Sequence, residues 1–72
     1  MVKIGKNVSI SENCTIGECT IGDQVKIGPG TILEDGVEIG ANSIIGAGCI
    51  ISEGAIVPPK SKIKNGTIVP SK

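Results

Sequence analysis

The stretch CTIGECTIGDQVKIG, residues 14–28, echoes itself at two spacings: Ile16 and Ile21 lie five residues apart, Ile21 and Ile27 six. Working outward from it, the six-residue spacing prevails. Aliphatic residues recur at Ile4, Ile10, Ile16, then Ile21, Ile27, Leu33, Ile39, Ile45, Ile51, Val57, Ile63 and Val69. Two positions before each stands a small or β-branched residue, Val2, Val8, Cys14 and Cys19 among them, and no unit breaks this rule. A Gly often follows the aliphatic residue, as at positions 5, 17, 22, 28, 40 and 46. Asn or Gly, which tolerate positive φ, stand just before most of the small residues, with Gln24 and Lys60 among the exceptions.

Alternation of side chains along an extended chain makes each unit an in–out–in segment of three residues followed by a three-residue corner. Three such segments close a triangular coil. The chain then holds about four coils, and stacking at the roughly 4.8 Å strand spacing gives a prism on the order of 20 Å tall. An amphipathic helix does not fit a six-residue period with Gly so frequent. The expectation is a single all-β domain spanning residues 1–72.

Sorting the outward residues by side separates three faces. One carries Lys3, Thr20, Glu38 and Ile56, and the second Ser9, Lys26, Ile44 and Lys62. The third carries Thr15, Ile32, Ile50 and Ile68, an apolar stripe of the kind that soluble monomers avoid exposing. Burial of each Ile contributes roughly 1.5–3 kcal/mol, so Thr15, Ile32, Ile50 and Ile68 are expected to form an oligomer interface. A chain of 72 residues is short for an independent core and benefits from such a partner.

Composition narrows function further. There is no Phe, Tyr or Trp to stack on bases, and seven Lys balance seven acidic residues. Neither nucleic acid nor a membrane surface is an expected partner. No apolar run approaches the roughly 18 residues of a membrane span and the first ten residues lack a signal-peptide core, so a cytoplasmic location is expected. Cys14, Cys19 and Cys49 all occupy inward small-residue positions and read as core filling, with no disulfide or zinc pattern. The GPG at 28–30 lacks the helix and Lys of a phosphate loop and reads as an ordinary corner.

The pattern of an aliphatic residue, Gly, any residue, Asn or Gly, a small residue and any residue resembles the hexapeptide-repeat superfamily, which implies a left-handed parallel β-helix and, usually, a homotrimer. The run from CTIGDQVKIGPGTILEDG through VPP at 57–59 to the terminal VPSK is similar to the C-terminal half of gamma-class carbonic anhydrase-like proteins, which share a short unit here. Two zinc-binding His of that family align with Glu12 and Gly17; the chain has no His at all. With no nitrogen ligand, a zinc-hydroxide centre is not expected, nor any other metal or cofactor. An acyltransferase of the superfamily generally uses His as its base, leaving only Glu12, Glu18 and Glu53, which read as solvated corner carboxylates. No catalytic residue is assigned. The expected function is a non-catalytic scaffold or oligomerisation module, the alternatives being a diverged acyltransferase using acetyl-CoA or a remnant of a longer enzyme. Lys3, Lys60, Lys62, Lys64 and Lys72, with Pro58, Pro59 and Pro70, are expected to blunt pairing at the open ends.

Overall fold

The computed structural model describes residues 2–71. Each coil contributes three short strands. Coil one holds β1 (Lys3–Ile4), β2 (Ser9–Ile10) and β3 (Thr15–Ile16), and coil two β4 (Thr20–Ile21), β5 (Lys26–Ile27) and β6 (Ile32–Leu33). Coil three holds β7 (Glu38–Ile39), β8 (Ile44–Ile45) and β9 (Ile50–Ile51), and coil four β10 (Ile56–Val57), β11 (Lys62–Ile63) and β12 (Ile68–Val69). They stack into three four-stranded parallel sheets, β1-β4-β7-β10, β2-β5-β8-β11 and β3-β6-β9-β12, which are the three faces read from the sequence. The prism measures 24 × 21 × 20 Å. Paired segments are two residues long where three extended residues were expected; the small residue before each contributes its carbonyl to the ladder, as Cys19 O accepts from Lys3 N–H at 2.9 Å.

The core is the column of inward residues. Ile21, Ile27, Leu33, Ile45 and Ile51 are essentially inaccessible, as are Val25, Val37 and Cys49. Inward Thr31 and Ser43 are equally buried, and each satisfies its hydroxyl on a corner carbonyl one coil on: Thr31 Oγ1 donates to Gly46 O at 2.8 Å and Ser43 Oγ to Pro58 O at 2.9 Å. Cys49 Sγ follows the same rule with Lys64 O at 3.1 Å, and Cys14 Sγ with Gly28 O at 3.2 Å. All three cysteines are free. No buried side-chain polar atom lacks a partner among the described residues. The inward residues of the end coils are less covered, and Ile4 and Ile10 remain 49% and 37% exposed because no coil lies beneath them.

Two sets of backbone bonds lock one coil to the next at the corners. The residue after each inward aliphatic residue donates its N–H to the coil above, as Gly5 does to Ile21 O, Gly22 to Ile39 O and Gly40 to Val57 O, each at 2.8 Å. The positive-φ residue donates to the coil below, as in Gln24 N–H to Lys6 O at 2.8 Å and Gly30 N–H to Glu12 O at 3.0 Å. Gln24 and Lys60 adopt φ of 59° and 61° although neither is Gly or Asn, since the corner bond holds them there. Gly28 and Gly30 spend their amides on this stacking, which confirms GPG as a corner.

Candidate functional site

The third face is built by β3, β6, β9 and β12. Their register aligns Thr15 with Ile32, Ile32 with Ile50, and Ile50 with Ile68, so the three Ile form a continuous outward ladder. Ile32 and Ile50 are half-buried between the strands above and below, Thr15 is exposed, and Ile68, on the last rung, is 64% exposed. The other two faces each present one outward Ile, Ile56 and Ile44. The ladder therefore has no counterpart elsewhere on the prism.

Beside the ladder runs the corner that contains the short unit. Every other complete corner among the described residues has a positive-φ residue; between Gly17 and Cys19 there is none. The deleted position is thus the positive-φ one. Strand pairs that span this corner are offset by 17 residues, as Ile16 with Leu33, whereas later pairs such as Leu33 with Ile51 are offset by 18. Asp35 lies over this corner: Glu18 N–H donates to Asp35 Oδ1 at 2.8 Å, and Gly36 N–H to Glu18 O at 2.7 Å. A Cβ on Gly17 would lie 2.5 Å from Asp35 Oδ1 and 3.0 Å from Asp35 N and Leu33 O, so a side chain here would displace the Asp35 carboxylate.

An open groove of about 370 Å³ follows this corner, lined by Thr15, Gly17, Ile32, Leu33, Glu34, Asp35 and Glu53. Its acidic side chains also tie coils together, since Glu34 Oε1 accepts Glu53 N–H at 2.9 Å. Burial raises the Cys19 thiol above its ordinary value of 9.0, and the Asp35 charge adds to that shift, so the thiol stays protonated near neutrality.

Of the residues weighed in the sequence, Thr15, Ile32, Ile50 and Ile68 share one sheet, and Glu18 and Glu53 share the third corner. Glu12 sits at the second corner, between β2 and β3, apart from them. No group of three His, Cys, Asp or Glu among the described residues can hold a metal ion. Glu34 and Asp35 were not singled out from the sequence. Their signal was that Glu34 and Asp35 fall over Gly17 and Glu18 once the 17-residue offset is applied.

Over residues 18–53 the sequence matches the family of bacterial transferase hexapeptide proteins (six repeats). The chain belongs to that family. Membership carries with it the left-handed winding expected of the repeat, and the fold is a left-handed parallel β-helix of about four coils. Among solved structures, serine acetyltransferase isoform 3 from Entamoeba histolytica, determined in complex with cysteine, is similar at a TM-score of 0.50 with 23% identity. The match covers 99% of this chain and 35% of that one, and at this identity it speaks to the fold alone. This hexapeptide-repeat chain therefore spans about a third of that acetyltransferase's length. No curated protein matches it.

Proposed function

We propose that this hexapeptide-repeat chain is a non-catalytic assembly module that forms a homotrimer through its third face. The observation that carries this reading is the in-register ladder Ile32, Ile50 and Ile68, with Thr15 at its base. Burying those Ile side chains adds roughly 1.5–3 kcal/mol each, a large contribution for so short a stack. Members of this family often form trimers, and a heterologous contact closes a ring at threefold symmetry.

Acyl transfer is the weaker reading. The chain contains no His, and the Asp35 and Glu34 carboxylates accept backbone amides. An acidic groove repels a phosphate-bearing acyl donor. The similar acetyltransferase is about three times as long, by the 35% of it that this chain covers, which favours as a third reading a piece that completes a site with other polypeptide. A cytoplasmic location is part of this proposal, and the free thiols at Cys19 and Cys49 are compatible with it.

Mass measurement by light scattering with a thermal-shift screen tests the proposal. The expected result is a species of about three times the chain's 7.3 kDa, with no shift in melting on adding acetyl-CoA or zinc. A clear stabilisation by acetyl-CoA would replace the scaffold with a transferase.

A further inference from the structure

The two ends of the prism differ in a way that the repeat alone does not require. At the first corner, the amides of Gly5, Gly22 and Gly40 each bond upward to the next coil; the equivalent residue in coil four is Pro58. At the third corner the series Gly17, Glu34 and Ser52 behaves likewise, with bonds of 2.7–3.1 Å, and ends in Pro70. Pro59 stands where Lys6 and Ala47, at the matching place in their corners, donate to a side chain of the coil above. The prolines therefore fall where an amide would point out of the last coil. Proline has no N–H, and its ring carbon occupies the space into which the hydrogen would point. An incoming carbonyl at hydrogen-bond distance would collide with it.

Coil one is the opposite. Val2, Ile4 and Ile10 leave an apolar end 37–49% exposed. The carbonyls of Ile21 and Leu33 accept from the coil below, so their coil-one equivalents, Ile4 and Ile16, present acceptors to any coil that might lie beneath. Coil four of a second copy would otherwise complement this end. Its inward Val57 and Ile63 would cover Ile4 and Ile10 by the same register that pairs Ile21 with Ile4. Lys64 would approach Glu12, just as Gly46 closes on Asn65 one coil lower.

We infer that coil four is a built stop: Pro58, Pro59 and Pro70 block the end-to-end stacking by which copies of this chain would otherwise extend the β-helix. Such a head-to-tail contact does not close and would yield fibres. The stacking axis runs along the prism, so the stop is independent of assembly through the third face.

The test is the variant P58G/P59A/P70G, compared with the parent chain by sedimentation velocity and electron microscopy. The parent is expected to keep one mass across a dilution series. The variant is expected to gain mass with concentration, by about twofold or more in multiples of the parent unit, and to form fibres. Adding Ile4→Lys at the receiving end should abolish that gain. With Ser9→Cys and Lys62→Cys present, disulfides between copies should form in the variant only, because those residues would be stacked neighbours. A folded variant that holds the parental mass, or a parent that already stacks, would overturn the inference. If the triple variant does not fold, P58G/P70G, which retains Pro59, is read against the same two outcomes.

Discussion

The backbone amide of Glu18 donates to the carboxylate of Asp35 at 2.8 Å, and this bond closes the corner from which a residue is missing. Asp23 and Asn65 do the same for Lys6 and Ala47. Those two corners also keep a positive-φ residue, Asn7 and Gly48, whereas the short unit has the side-chain bond without one. Replacing Asp35 with Ala should cost about 1 kcal/mol, and Asp35→Asn, which keeps the acceptor, should recover most of it; urea denaturation of both measures the difference.

Insertions discriminate corner from strand. A Gly added between Glu18 and Cys19 restores the usual corner and should leave the circular dichroism spectrum and cooperative melting intact. The same Gly added between Thr20 and Ile21 shifts alternation by one, turning inward residues outward, and should abolish cooperative melting.

Much of this architecture was legible because alternation and the six-residue period act together: Lys3 and Thr20, or Thr15 and Ile32, fall on one face in any chain that keeps both. Positive φ at Gln24 and Lys60 was not legible, since nothing in those side chains favours it and the corner bond alone imposes it. Nor was the exposure of Ile4 and Ile10, which carry the same local pattern as buried Ile27; only a coil beneath distinguishes them. The acidic groove was not legible either, because only the 17-residue offset of the paired strands places Glu34 and Asp35 over Gly17 and Glu18.

Backbone strain at Gln24 is relievable. Its φ of 59° disfavours a side chain with a long stem, while Gly adopts it freely. Gln24→Gly should stabilise the fold by about 0.5–1 kcal/mol, and Lys60→Gly by a similar amount. A loss of stability in both would show that the side chains make contacts that outweigh the strain.

Alkaline stability depends on Cys19. Its thiol is raised above 9.0 in the folded chain by burial and then by Asp35, so the folded state resists ionisation that the unfolded state undergoes. This contribution is complete below about pH 9, the ordinary thiol value, and is lost as pH rises through the raised value. Chemical denaturation at pH 7 and at pH 10 should show a steeper alkaline loss for the parent than for Cys19→Ala, and equal losses would remove Cys19 from the account.

The proposed assembly rests on Ile50, at the centre of the ladder between Ile32 and Ile68. Sedimentation equilibrium of the parent and of Ile50→Lys is the most direct measurement. A trimeric parent and a monomeric, still β-structured Ile50→Lys variant is the predicted result. A parent that sediments as a monomer, or a trimer that Ile50→Lys leaves unchanged, would contradict assembly through this face.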